Sequence, residues 1–190
     1  MRLYLASGSP RRALLLEQAA IPFELLLPSV SEEVNQNLPI EEQVITLALR
    51  KAEDCARRVN EGLVLGADTV VLHEGSAIGK PASEEEARVI LEKLSGTSHE
   101  VLTGIAVIDR ASGRRETGFS RTRVWIKPLR KEEIDRYVAT GEPLDKAGAY
   151  GIQGRAAVFV ERIEGCYFNV VGLPLNLLYN MLQKLNQELQ

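Results

Sequence analysis

The stretch Leu3-Tyr4-Leu5-Ala6-Ser7-Gly8-Ser9-Pro10-Arg11-Arg12 decides how the chain folds. Leu3 to Ala6 is a short apolar run, the pattern of a buried strand. The run breaks at Gly8 and restarts as a helix, with Ser9 at the N-cap and Pro10 at the first helical position. A strand, a tight turn and a helix N-terminus leave outward-pointing N–H groups with partial positive charge, which suits an anion. Ser7 and Ser9 add hydroxyls in the same place. Arg11 and Arg12 add guanidinium forks, which match the oxygens of a phosphate chain better than one carboxylate. An ordinary first strand-to-helix turn with surface arginines has the same spelling, so the stretch alone does not decide function.

The surrounding chain of 190 residues is long enough for one domain, or for two small lobes sharing a core. A hydrophobic share of 45% beside 26% charged residues belongs to the soluble globular class. The net charge of −3 provides no global basic field to draw in nucleic acid, so anion binding must come from local placement. No charged region followed by a long apolar segment opens the chain, so no signal peptide is expected. No apolar run reaches the roughly 18–20 residues of a membrane span. Cys55 and Cys166 lie far apart without metal-ligand spacing and are read as free thiols of a reducing cytoplasm.

Outward from the first turn, the pattern predicts a helix over 10–20, a strand over 23–27 ended by Pro28, and a polar loop over 29–38 carrying Glu32 and Glu33. A long helix is expected over 39–61, with Ile40, Val44, Leu47, Ala48 and Ala52 on its buried stripe and Lys51 next to it. The most apolar strand is Leu63-Val64-Leu65-Gly66-Ala67-Asp68-Thr69-Val70-Val71-Leu72, which belongs at the centre of a sheet covered on both faces. Asp68 interrupts it. A carboxylate there is costly unless it is paired, hydrogen-bonded or facing a ligand, and Gly66 and Ala67 leave room for something to approach. Capping of a nearby backbone turn is the plainer alternative.

His73 to Ser76 reads as a hairpin tip, and Gly79-Lys80-Pro81 as a segment that holds its lysine in place. Ser83 with Glu86 spells a capping box for a helix that Gly96 stops. Residues 101–109 and 116–127 form a predicted hairpin, in which Phe119, Arg121, Arg123 and Trp125 share one face. A basic, aromatic face can grip nucleic acid, but the acidic balance favours a half-exposed sheet surface. A short helix is expected over 132–139. The span 141–154 holds four of its glycines at Gly141, Gly148, Gly151 and Gly154 and offers Asp145, Lys146 and Gln153, which suggests an ordered loop close to a ligand. Strands are predicted over 157–164 and 167–171, and a last helix after Pro174.

Taken together, Ser7 to Arg12, Gly66-Ala67-Asp68-Thr69, Gly79-Lys80-Pro81, Gly141 to Gly154 and Val171-Gly172-Leu173-Pro174 resemble the Maf family of nucleoside triphosphate pyrophosphatases. They run in family order over nearly the whole chain. The resemblance implies an α/β (α+β) fold of the Maf/ITPase-like kind, with residues 1–190 as a single domain. It implies a long, twisted mixed sheet with helices, and two lobes around a central cleft that takes the substrate. It implies hydrolysis of a nucleoside triphosphate to monophosphate and pyrophosphate with a divalent cation, Mg2+ or Mn2+. The dTTP/UTP branch carries Arg, Thr and Gln where this chain has Arg11, Thr69 and Gln153, and lacks the Trp that the 7-methyl-GTP branch has in place of Arg11.

On that resemblance Asp68 accepts the proton of the attacking water, with Glu32 and Asp68 as metal contacts. Ser7, Ser9, Arg12, Lys51 and Lys80 hold phosphate oxygens, and Asp145 and Lys146 support the pyrophosphate end or close the cleft. A nucleotide-binding regulator of septum formation, or a pyrophosphatase for another nucleotide such as 7-methyl-GTP, stands as the alternative. A nucleic-acid or membrane partner is not expected. A homodimer is the base-rate state for a small metabolic enzyme. The P-loop spacing of a kinase or GTPase is missing, and two histidines in turn and strand-start settings do not suggest a Ser-His-Asp site.

Overall fold

The computed structural model describes residues 2–185. Strand β1, Leu3–Ala6, is wholly buried, and helix α1, Pro10–Gln18, starts at Pro10 as expected. The Ser9 side chain does not cap α1; the Ser9 N–H instead donates to Ser7 Oγ at 3.2 Å. The strand expected over 23–27 contracts to β2, Glu24–Leu25, because it pairs only with the four-residue β1 and lies at the sheet edge. Helix α2, Ile40–Ala56, stops earlier than predicted. The Arg58 N–H turns back to the Cys55 carbonyl at 3.0 Å, tightening the last turn.

Strand β3, Leu63–His73, pairs in parallel with β1 through the α2 crossover and turns into β4, Ser76–Ile78. The two turn residues, Glu74 and Gly75, have φ of 50° and 77°, the left-handed pair that a tight hairpin requires. Helix α3, Glu84–Leu94, is capped by Ser83 Oγ, while Glu86 reaches back to the Ala82 N–H at 2.7 Å. Strands β5, Ser98–Asp109, and β6, Arg115–Ile126, lie next to each other, and β6 alternates exposed with covered residues. Helix α4, Lys131–Val138, precedes two 3₁₀ turns, Glu142–Asp145 and Ala147–Ala149, so the glycine-rich span is ordered.

The strand predicted over 157–164 starts late. Arg155–Phe159 is a 3₁₀ turn, and β7, Val160–Glu164, begins where β6 offers Ile126 as a ladder partner. The segment expected as an edge strand over 167–171 is instead helix α5, Tyr167–Val171. Its buried Asn169 amide donates to the Val101 carbonyl at 2.9 Å and to Thr122 Oγ1 at 3.0 Å. These tertiary bonds override the strand preference of Val170 and Val171. Helix α6, Leu175–Lys184, buries Leu178, Met181 and Leu182.

The seven strands form a mixed sheet of order β2-β1-β3-β5-β6-β7, with β4 on β3. The chain clusters into two units. The first holds residues up to Asp68, Thr103–Ser120 and the chain from Gly172; the second holds Thr69–Leu102 and Arg121–Val171. The first packs Tyr4, Ala6, Ala48, Ala52 and Val64 among its core residues; the second packs Leu91, Leu94, Tyr137, Tyr150 and Phe159. Cys55 and Cys166 are unbridged, as expected of free thiols. Among the described residues no helix is long and apolar enough to cross a membrane.

Candidate active site

What approaches the sheet at Gly66 is the backbone of α2. A Cβ at Gly66 would lie 2.1 Å from the Ala48 carbonyl oxygen, and one at Gly104 would lie 2.5 Å from that of Val44. Two glycines thus let α2 lie directly on β3 and β5, too close for any side chain between. One turn beyond Ala48, this contact delivers Lys51 to Asp68. Lys51 is 8% exposed, against the usual solvated fate of a helix lysine, and its Nζ lies 2.8 Å from Asp68 Oδ1. The same ammonium meets Glu32 Oε1 at 2.9 Å, reached from the 29–38 loop. Asp68 is therefore held by an ion pair, and among the described residues it caps no backbone turn.

The two carboxylates differ in setting. The Asp68 side chain is 19% exposed and the Glu32 side chain 74%. The Lys51–Asp68 pair is mostly withdrawn from water and intolerant of losing one partner; Glu32 closes the same ammonium from the solvent side.

The first turn is organised by Arg12. Its Nη1 donates to Ser7 Oγ at 2.9 Å and its Nε to the Gly172 carbonyl at 2.8 Å, tying the start of α1 to the segment before α6. Burial pushes the Arg12 guanidinium down to about 10, with Arg11 adding to the push while Asp68 and Glu32 act against it. The carboxylates and guanidiniums of this unit thus act on one another, although Arg12 spends two donors inside the fold. Ser7 and Arg12 are buried, whereas Ser9 and Arg11 are partly exposed.

The remaining predicted residues belong to the second unit. Thr69 follows Asp68 directly on β3 and is partly exposed. Lys80 is exposed, and the Gly79 carbonyl before it accepts the Gly148 N–H at 3.1 Å, which fixes the segment as its sequence suggests. Lys146 Nζ pairs with Asp145 Oδ1 at 2.6 Å and also donates to the Glu142 carbonyl at 2.8 Å. Gln153 is exposed, and neither its amide nor the Lys80 ammonium takes part in a hydrogen bond among the described residues. On β6, Arg121 and Arg123 both face Glu100, at 3.3 and 3.5 Å, and Arg162 stacks over Trp125 at 4.6 Å.

Sequence reasoning missed three groups. The Gly172 carbonyl carries no sequence signal for its bond to Arg12. Glu142 and Tyr137, which bind the backbone of the 151–155 segment, read as a loop acid and a core aromatic. Among the described residues no three His, Cys, Asp or Glu side chains converge as a metal cage. Two carboxylates on one point nevertheless fit a cation that takes one or two carboxylates and completes its shell with phosphate oxygens and water.

The family described as Maf-like protein matches residues 2–185, and the chain belongs to that family. Relatives named dTTP/UTP pyrophosphatase include those of Carboxydothermus hydrogenoformans, 50% identical over 97% of this chain and 98% of that protein. The one from Pelotomaculum thermopropionicum is 51% identical over 95% and 94%. That of Caldicellulosiruptor saccharolyticus is 46% identical over 99% and 96%. Among solved structures, the Ham1 protein of Staphylococcus aureus aligns over 97% of this chain and 99% of its own, with a TM-score of 0.51 at 15% identity, a likeness of fold.

Proposed function

We propose that this chain is a nucleoside triphosphate diphosphatase that hydrolyses dTTP and UTP to the monophosphate and pyrophosphate. The observation that carries the chemistry is Asp68, partly open on the largely apolar strand β3 and 2.8 Å from a buried ammonium. The substrate preference draws support from relatives of that name at about half identity over almost the whole chain. Arg11, Thr69 and Gln153 select the pyrimidine base: a guanidinium, a small hydroxyl and an amide can pair with its edge.

A bound triphosphate brings about four negative charges, which must be neutralised before a base can act. Ser7, Ser9 and Arg12 at the start of α1, with Lys51 and Lys80, hold its oxygens. Water adds at phosphorus as the α–β anhydride P–O bond breaks, and Asp68 takes the proton of that water. Lys51 orients the Asp68 carboxylate for this step, and Asp145 with Lys146 supports the pyrophosphate end. Glu32 and Asp68 would hold a divalent cation, Mg2+ or Mn2+, whose chemistry is to neutralise charge on the phosphates. A homodimer and a cytoplasmic setting belong to the same reading, the latter supported by two unbridged thiols.

Product identification with UTP and dTTP in the presence of magnesium tests the reading. Pyrophosphate and monophosphate in equal amounts are expected. Orthophosphate as the product, or no turnover of either nucleotide, would overturn it.

A further inference from the structure

The segment that presents Gln153 is held at both ends by side chains to which nothing so far assigns a role. Tyr137 on α4 accepts the Gly151 N–H on its hydroxyl at 3.2 Å and donates that hydroxyl to Glu142 Oε1 at 3.0 Å. Glu142 accepts the Arg155 N–H on both carboxylate oxygens, each at 3.1 Å. Between the two anchored amides lie only Ile152, Gln153 and Gly154. The Gly154 N–H returns to the Gly151 carbonyl at 3.0 Å, closing the segment on itself. Ile152 packs against the core of the second unit, which leaves Gln153 as the exposed polar side chain of the span.

The fit is tight. A Cβ at residue 154 would stand 2.2 Å from Glu142 Oε1, so the carboxylate occupies the space any side chain there would need. The Tyr137 ring is wedged edge-on against Phe159 with centroids 5.2 Å apart, and burial together with the neighbouring carboxylate raises its phenol, so the hydroxyl remains a donor. Tyr150, just before the segment, is buried and meets His99 Nε2 at 2.7 Å through its own hydroxyl. An exposed amide reads a base edge only if its backbone does not wander, since a misplacement of about 1 Å can undo positioning.

We propose that Glu142 and Tyr137 are positioning residues for pyrimidine selection, acting through the Gly151–Arg155 backbone to set where Gln153 presents its amide. The inference rests on the reading of Gln153 given above. Tyr137→Phe removes the hydroxyl and keeps the ring; Glu142→Gln keeps one acceptor oxygen and replaces the other with a donor. Steady-state kinetics with UTP and the purine nucleotide GTP are measured for the wild-type protein, for both variants, for Gln153→Ala, and for each variant combined with Gln153→Ala. Circular dichroism checks that each protein folds.

The expected result is a fall of about tenfold in the UTP-to-GTP ratio of kcat/KM for Tyr137→Phe, carried by KM, and a smaller fall for Glu142→Gln. Neither change should lower the ratio further once Gln153 is alanine. Should one variant fail to fold, the other carries the test. A ratio that stays within twofold in a folded variant, or one that falls equally in the Gln153→Ala background, overturns the proposal while leaving the function standing. A wild-type protein that releases no pyrophosphate from UTP or dTTP overturns the function, and this inference with it.

Discussion

Around Lys51, in the first unit, the side chains that meet are charges on a helix, a strand and a loop. Around Tyr137, in the second, they are a phenol and one carboxylate closed on backbone amides. The first arrangement places charged side chains; the second places a piece of chain. Lys51 reaches Asp68 because Gly66 and Gly104 let α2 settle against the sheet, so its position is inherited from regular secondary structure. The Gly151–Arg155 segment has no ladder of its own to lean on, and its amides are held one by one. On the proposed reading, charge concentrates where bonds are to be broken, and directional hydrogen bonds appear where a shape must be kept.

The sharpest way to break this contrast is Asp68→Asn. It keeps the shape and removes the proton acceptor of the proposed mechanism, so turnover should fall by about 10²–10⁴-fold. Nucleotide binding measured by calorimetry should survive. Full activity in that variant would mean that the Lys51 pair is structural only.

A second comparison uses pH. Burial, with some help from His73, holds the buried His99 down to about 4, against an ordinary value of 6.5. The unfolded chain therefore takes up the proton first as pH falls. The stability His99 contributes is complete above about 6.5 and is lost on the way down to about 4, up to about 3 kcal/mol. Urea unfolding at pH 7 and pH 4.5 should show the wild-type protein losing more stability than His99→Gln. Equal losses would show that His99 is not kept neutral by its surroundings.

The smallest effect is expected at Glu32→Gln. Its side chain is 74% exposed, so unfolding free energy should move by less than about 1 kcal/mol although the carboxylate touches the same ammonium as Asp68. A larger shift in the denaturation midpoint would mean that the rim carboxylate is as deeply engaged as the strand one.

Much of this could be read before any coordinates, and the residues show why. Leu3 to Ala6 and Leu63 to Ala67 are buried throughout, so their apolar runs and the interruption at Asp68 are visible in one dimension. Lys51 was legible as a neighbour of the buried stripe, but its burial was not, because that depends on how closely Gly66 and Gly104 admit the helix. Residues 167–171 spell a strand and form a helix, since Asn169 finds its partners at Val101 and Thr122, far away in sequence. Residues 157–159 turn instead of extending because β6 has run out of ladder. Tyr137 and Glu142 gave no signal, as each looks ordinary alone and matters only through amides that no side chain announces.

The division of the first unit into three sequence segments has a bearing on how the protein is made. Its last part starts at Gly172, whose carbonyl receives Arg12, and continues into the helix carrying Leu178, Met181 and Leu182. A nascent polypeptide emerging from the ribosome cannot finish that unit until Gly172 and the helix after it have been made. Arg12 waits for a carbonyl made 160 residues later, so a premature stop anywhere before residue 172 leaves the guanidinium without this partner and the unit without the helix over Leu175–Lys184.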